Sequence, residues 1–312
     1  MHYLFFAIIG YILLGIVNIF DKFILTKAIK QPLVFVFYST ALVLPIFLFL
    51  PFGVLTLESP LHYFIASFAG IFFGLALWAM YKGFQESEVS HGAPLLGAST
   101  PFFVLILSVL FLREQLSGQQ LVGIIILVIG SVMISFEKSR RHKGLHAGLL
   151  YIVLSGFLYA VSHVASKYIY DIYGFYSGLV WTRGFMALFG ICLLFIPMVR
   201  REIFCKDNSR ATKASINELN QKTSRPRQIL LVVLSRVLAV VAVVIIQYAI
   251  AIGSVTIVNA LAGAQFAFII VTVMLLTKFV PKIFKEKFIV GEFEWEMISV
   301  LIIAIGMIVV IT

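Results

Sequence analysis

Long apolar runs separated by short polar stretches set the strongest limit on how this chain folds. A helix needs about 20 mostly apolar residues, within a range of about 17–25, to cross the hydrocarbon core of a bilayer. Open strands cannot satisfy their backbone in lipid, and the runs lack the alternation of a membrane barrel. The pattern therefore predicts an all-α integral membrane protein with ten transmembrane helices. The ten runs are 3–20, 33–50, 61–81, 92–112, 119–136, 147–169, 175–198, 228–251, 255–277 and 297–312.

Composition excludes an ordinary water-soluble protein. Hydrophobic residues make up 61% of the chain and charged residues 12%, whereas soluble domains average about 45–50% and about 25%. The net charge of +10 resides in loops between apolar runs, where basic residues meet anionic lipid headgroups, so we expect no binding to nucleic acid. The start of the chain, MHYLFFAIIG, lacks the basic segment and cleavage site of a signal peptide, and we expect it to be a retained membrane helix.

Basic residues are distributed very unevenly between the two predicted sides of the membrane. Of the 24 Lys and Arg residues, 20 lie in the loops after the odd-numbered helices, and the opposite side holds only Arg113. The longest polar segment, 199–227, is one of the basic loops. The positive-inside rule predicts a multi-pass protein of the cell membrane with odd-numbered loops in the cytoplasm and both termini outside it.

The chain also reads as two similar halves. Asn18 to Lys22 corresponds to His163 to Lys167 at an offset of 145, and Tyr81 corresponds to Tyr248 at an offset of 167. The predicted repeats are residues 1–137 and 138–312, each with five helices. An odd helix number inverts the second repeat relative to the first, an arrangement found in many secondary transporters with a binding site between the repeats.

Several short motifs resemble the EamA-type members of the drug/metabolite transporter superfamily. They are Tyr81-Lys82-Gly83, Ser99-Thr100-Pro101-Phe102, Leu112-Arg113-Glu114 and the spacing Gly123 to Gly130, together with Asn18 to Lys22 and Arg183. The second half departs from the pattern, because Phe268 stands where the first half has Pro101. The resemblance implies a ten-helix transporter that moves small metabolites, commonly outward.

Three cations fall inside apolar runs, where charge is costly unless it faces a polar partner or cavity. Arg236 lies two turns into the eighth run, so we predict that it lines a cavity or pairs within the protein. Lys167 is either a cavity residue or an anchor at the interface, and Arg183 is interpreted as structural because it fits a helix end. These cations, with no carboxylate at mid-membrane, favour an anionic or zwitterionic substrate and argue against proton coupling.

Further site residues are predicted from polar and aromatic side chains in apolar surroundings, each with packing or interface anchoring as the alternative role. Asn18 and Lys22, like His163 and Lys167, share one helix face at i, i+4 spacing. We predict that Pro94 and Pro101 bend helix 4 and shape the site. The full set of predicted substrate-binding residues is Asn18, Lys22, Trp78, Tyr81, His163, Lys167, Arg236, Gln247, Tyr248, Asn259 and Gln265.

The sequence thus predicts an exporter, facilitator or exchanger of a small metabolite such as an amino acid or organic anion, working by alternating access. Two alternatives stay open. A flippase or carrier of a lipid-linked phosphate or sugar would have a cavity open sideways to lipid, and a membrane scaffold would lack a polar cavity. No nucleophile, metal-ligand or nucleotide motif is present, so we expect no catalysis, cofactor or metal. Expected partners are the substrate and membrane lipids, with the protein either a monomer or a homodimer.

Overall fold

A computed structural model describes residues 2–24, 32–86, 89–139, 147–204, 225–265, 267–269, 272 and 290–311. These residues are almost all helical and include no strand. The prediction of an all-α protein is confirmed for them. The helices are α1 His2–Ile24, α2 Pro32–Ala41, α3 Pro60–Glu86, α4 Val89–Leu107, α5 Gly118–Ser139, α6 Ala147–Cys192, α7 Pro197–Phe204, α8 Arg225–Ile252, α9 Val255–Ala260 and α10 Val290–Ile311.

Within those described ranges, four helical stretches are long and apolar enough to cross a membrane. They are Pro32–Phe49, Pro60–Glu86, Leu95–Leu112 and Gly148–Phe195, and shorter apolar helices include His2–Val17, Gly118–Met133, Val237–Ile252 and Met297–Val310. Large apolar side chains such as Phe64, Phe102 and Ile125 are exposed on the outer helix faces, as lipid contact requires. The count of ten crossings and the inversion of the halves stay predictions.

Local signals in the sequence explain where several helices begin and end. At the start of α5, the Ser117 hydroxyl accepts from the Gln120 N–H at 3.1 Å, and the Gln120 amide oxygen accepts from the Ser117 N–H at 3.0 Å. This reciprocal pair is a capping box. Ser254 caps α9 by accepting from the Ile257 N–H at 3.0 Å. At its far end α4 widens into a π-helical turn, Ser108–Leu112, which stops at Arg113 in the left-handed conformation (φ 53°).

Helix α6 is two arms joined at Gly174, in the gap between the sixth and seventh apolar runs. The stretch Gly148–Phe195 has 48 residues, about 72 Å of helix against a hydrocarbon core of about 30 Å. Gly174 has φ 73° and ψ 170°, a conformation available essentially only to glycine. The chain can therefore reverse there, and residues 147–173 and 175–192 form a first and a second arm.

Both arms of α6 pack on α3, in opposite directions. The first arm is antiparallel to α3, because Ser155 donates to the Ala76 carbonyl (2.8 Å) and Ser162 to the Ala69 carbonyl (2.7 Å). The second arm is parallel to α3, since Gly70 lies against the backbone of Thr182 and Met186 and Gly74, further along α3, lies against Phe189. A side chain at Gly70 would collide with that backbone, so glycine is what permits the close approach.

Other contacts join the first half of the chain to the second. Helix α1 packs on α8, where Gly10 meets Ile246, and α5 packs on α10, where Gly130 meets Ile303. Helix α4 packs on α6 and on α9, whose residues are all buried. The main hydrophobic core therefore draws on both halves.

Candidate functional site

One face of the first arm of α6 carries polar and aromatic side chains that point toward the interior. Tyr159, His163, Ser166 and Tyr170 follow at intervals of three and four residues, so they share this face. Phe73 of α3 lies against it, with its ring 5.1 Å from that of Tyr159 and 6.3 Å from that of His163.

His163 is held by Asn259 of α9. The distance between His163 Nδ1 and Asn259 Oδ1 is 2.7 Å, and Asn259 Nδ2 donates to the Val255 carbonyl at 2.8 Å. The second bond fixes which end of the amide faces the ring. Because an amide oxygen can only accept, Nδ1 carries the hydrogen in this assignment, and Nε2 of the neutral imidazole is an acceptor.

Tyr170 and Gln247 form a second bridge, between α6 and α8. The Tyr170 hydroxyl donates to Gln247 Oε1 at 2.9 Å, and both side chains are buried. Each satisfies a polar group that lipid or protein interior would otherwise leave without a partner. The three helices α6, α8 and α9 are thus joined by side-chain hydrogen bonds at the level of these residues.

Arg183, on the second arm of α6, is the charge at the centre of this region. It is 5% exposed. Its guanidinium carbon lies 4.2 Å from the centroid of the Phe73 ring, and Nη1 donates to Met186 Sδ at 3.7 Å. Among the described residues, Nε and Nη2 have no hydrogen-bond partner. The phenol groups of Tyr159 and Tyr170 lie near the guanidinium. The Tyr170 hydroxyl donates its hydrogen to Gln247, which leaves its oxygen able to accept a hydrogen bond.

These residues are called the central polar cluster below. It contains one permanent positive charge, and no carboxylate with a described side chain interacts with Arg183. Predicted residues His163, Gln247 and Asn259 are therefore brought together by the fold. The members of the cluster are Phe73, Tyr159, His163, Ser166, Tyr170, Arg183, Gln247 and Asn259.

Lys167 lies one turn beyond His163 but is already paired. Its ammonium contacts Asp171 Oδ1 at 2.7 Å and donates to the Ala251 carbonyl at 3.0 Å. Ala251 is in the last turn of α8, where carbonyls lack partners within the helix and a cation is favourable. These contacts favour the anchoring role over substrate contact.

The predicted aromatic residues lie at both ends of the cluster. Trp78 stacks edge-on with Tyr151, and Tyr81 with Phe35. Both lie in the apolar groups around α3 and the first arm of α6 that also include Tyr159. Tyr248 packs between Phe6 and Phe175 at ring distances of 5.1 Å.

The remaining predicted residues are partly outside the described structure. Gln265 is buried, and its backbone carbonyl faces Gly15 of α1. The side chains of Asn18, Lys22, Arg236 and Pro94 lie outside the described residues. Pro101 is buried in α4, which is assigned as helix throughout, so the bend at the two prolines stays a prediction. In the described part of the chain, no group of three or more His, Cys, Asp or Glu residues could hold a metal ion.

Phe73, Tyr159, Ser166 and Tyr170 are absent from the sequence-based predictions, and Arg183 is interpreted there as structural. The sequence does carry a signal for Arg183, since it is one of three cations inside apolar runs. A signal for the tyrosines is their position four residues before and seven after His163 on one helix face.

The sequence of the first half identifies its relatives. Residues 1–136 match the EamA-like transporter family. The resemblance drawn from the motifs near Tyr81 and Glu114 is thereby confirmed. The EamA-like segment supplies α1 to α5 and, within the central polar cluster, Phe73.

The chain is also similar to a transporter sequence and to a solved structure. A stretch of 64 residues is 41% identical to an uncharacterized transporter of Archaeoglobus fulgidus, covering 20% of this chain and 23% of that protein. One crystal structure, described only as that of a protein, superposes with a TM-score of 0.66 at 14% identity, over 99% of this chain and 98% of the other. At that identity the likeness shows the fold alone.

Proposed function

We propose that this protein is a secondary membrane transporter that moves a small metabolite, such as an amino acid or organic anion, through the central polar cluster. The observation that carries this proposal is a buried, charged and hydrogen-bonded cluster in an otherwise apolar helical protein. Polar and ionised groups inside a membrane are expensive, and they mark substrate pathways when they face one another in a bundle. The EamA-like sequence of the first half points the same way.

Helix pairing supports the proposed inverted repeats, 1–137 and 138–312. If the halves are related in this way, a contact between the third and sixth predicted membrane helices has a counterpart between the eighth and the first. Helix α3 packs on the first arm of α6, and α1 packs on α8. Helices 5 and 10 should meet each other, and α5 packs on α10. Two halves related in this way can rock about a fixed site and open it alternately to each side.

The chemistry of the cluster favours a facilitator or exchanger. Proton-coupled carriers commonly use a titratable carboxylate within the membrane, and no described carboxylate interacts with Arg183. His163 is engaged with Asn259. By charge bias the odd-numbered loops face the cytoplasm and both termini lie outside it. Outward movement of the substrate follows from the family resemblance.

Transport by the purified protein in liposomes tests this function. Labelled amino acids, organic acids, sugar phosphates and cationic solutes are offered without an ion gradient. We expect saturable uptake of at least one solute, reduced at least tenfold in Asn259→Leu, which removes the acceptor for His163. The matched control is Ile125→Ala on the exposed face of α5, expected to transport normally.

If wild-type protein takes up no solute but moves labelled phospholipid between the leaflets, a flippase function replaces the one proposed here. If neither solute uptake nor phospholipid movement is detected, a membrane scaffold that transports nothing is the better interpretation.

A further inference from the structure

The arrangement of the Arg183 nitrogens that lack a described hydrogen-bond partner indicates which kind of ligand they can bind. In a guanidinium group Nε–H and the nearer Nη2–H point from the same edge, and that edge matches the two oxygens of a carboxylate. Among the described residues, Nε and Nη2 have no hydrogen-bond partner, whereas Nη1 contacts Met186. The open edge is therefore one that a planar oxyanion can bind with two parallel hydrogen bonds.

The rest of the guanidinium is enclosed by apolar and aromatic groups. One face lies over the Phe73 ring, an arrangement that stabilises the cation but leaves its edge available. Tyr159 packs edge-on against that same ring. A ligand that paired with the open edge would find aromatic surfaces beside it, suited to an apolar remainder.

Charge counting limits the ligand further. Arg183 supplies one positive charge, and no carboxylate with a described side chain interacts with it. The ammonium group of a zwitterion would need a carboxylate to balance its charge, and a second anionic group would need a second cation. Lys167 cannot serve as that cation without leaving Asp171.

We propose that Arg183 is the anchoring residue for a singly charged organic anion, a monocarboxylate with an apolar and preferably aromatic remainder. This rests on the proposed function and narrows its substrate class. Zwitterionic amino acids and dicarboxylates bind more weakly than the monocarboxylate of the same skeleton.

Matched ligand pairs test this assignment. Thermal unfolding of the full-length protein is followed in neutral detergent with benzoate against benzamide and with 3-phenylpropionate against its amide. Phenylalanine and phthalate supply the zwitterion and the dianion. A ligand that binds only the folded protein raises its unfolding temperature. We expect both monocarboxylates to do so and to bind at least tenfold more tightly than their amides, phenylalanine or phthalate.

Variants then locate the effect. Arg183→Gln is expected to abolish the difference between acid and amide, and Arg183→Lys, which keeps the charge but not the fork, to reduce it. Lys167→Gln removes the other described cation of the region and should retain the difference. Wild-type protein that fails to distinguish acid from amide would overturn the assignment, as would a difference that persists in Arg183→Gln. The wild-type comparison stands even where a variant fails to fold.

Two further experiments distinguish a free solute from a lipid headgroup as the bound anion, and distinguish failure of this assignment from failure of the proposed transport function. In nanodiscs of phosphatidylcholine the benzoate effect should persist, and adding phosphatidylglycerol should leave it unchanged. Loss of the effect in phosphatidylglycerol would show that a lipid headgroup occupies the edge and would overturn the assignment to a free solute. Saturable transport of a neutral or zwitterionic solute, unchanged in Arg183→Gln, would also overturn it while leaving the transport function standing.

Discussion

At the residue scale, most polar side chains of the central polar cluster form hydrogen bonds with one another, and Arg183 is the charged side chain among them. Tyr170 and Gln247, like His163 and Asn259, form complete pairs. Two nitrogens of Arg183, Nε and Nη2, have no hydrogen-bond partner in the part of the chain that the structure describes. An unpaired buried charge costs several kcal/mol, so its persistence is best explained by a ligand that completes it during the transport cycle.

The Tyr170–Gln247 bond predicts a specific pattern of stability in a double-mutant cycle. Gln247→Leu leaves the Tyr170 hydroxyl without its acceptor, which should cost about 1–3 kcal/mol. Tyr170→Phe leaves the Gln247 amide oxygen without a donor, at a similar cost. Removing both partners should cost less than the sum by about 0.5–3 kcal/mol. Reversible unfolding in mixed detergent measures each term, and strictly additive losses would mean that the bond contributes no coupling.

A built-in carboxylate should replace the proposed ligand of Arg183. Met186 lies three residues away on the same helix face, with its sulfur 3.7 Å from Nη1. In Met186→Glu the new carboxylate can reach the guanidinium. Relative to Met186→Gln, which has the same shape without the charge, this variant should be about 1.5–3 kcal/mol more stable. It should also bind benzoate at least tenfold more weakly.

Titration calorimetry and thermal unfolding check the two parts of that prediction. Benzoate binding by Met186→Glu that equals that of Met186→Gln would contradict the role of Arg183.

At the element scale, close helix contacts determine which side chains face the interior. Arg183 stands between Thr182 and Met186, whose backbone touches Gly70 of α3. That contact holds the second arm of α6 against α3 and buries the guanidinium over Phe73. The reversal at Gly174 is what allows both arms of α6 to pack on α3.

A second contact at the element scale joins the two halves of the chain. At the end of α4, Thr256 of α9 donates to Glu114 at 2.5 Å and contacts Ser108 at 2.6 Å.

Gly174 and Gly118 form a matched pair for testing the reversal. Neither would bring a Cβ within 4 Å of a neighbour, but only Gly174 has a positive φ, 73°. Gly174→Ala should destabilise the protein by about 1–3 kcal/mol through backbone strain. Gly118→Ala, at the start of α5, should be neutral or stabilising by about 0.4–1 kcal/mol. Thermal unfolding distinguishes them, and equal effects would show that the backbone at residue 174 is not strained.

At the scale of the whole molecule, the requirements of a lipid environment allow the helices to be predicted from the sequence but not the arrangement of the site. Hydropathy predicts where helices such as α3 and α5 lie, because a chain in a bilayer must close its backbone hydrogen bonds within each helix. Hydropathy does not say which helices meet. Arg183 is therefore assigned to a helix end, whereas the contact at Gly70 places it inside. Lys167 is predicted to be either a cavity residue or an interface anchor, and its contact with Ala251, 84 residues away, follows only from tertiary structure.

His163, Gln247 and Asn259 are candidate site residues from the sequence alone, because each is a polar side chain in an apolar helix. The structure places them in the central polar cluster, and their binding of substrate stays a prediction. Their partners, Tyr170 in particular, are not predicted, because a tyrosine near a helix end fits interface anchoring equally well. The cluster is thus partly visible in the sequence, through polarity in apolar surroundings. Its geometry depends on the glycine and serine contacts between α3 and α6.

Thiol accessibility at Ser166 tests whether the central polar cluster opens alternately to the two sides of the membrane. Its hydroxyl is buried in the cluster without a described partner, so Ser166→Cys places a probe there with little disturbance. The native Cys192 and Cys205 are first replaced by serine. The protein is reconstituted in one orientation, and a membrane-impermeant maleimide is applied to either face with and without benzoate. We predict labelling from both faces, slowed by benzoate on each. Labelling from one face alone, or from neither, would contradict alternating access around this cluster.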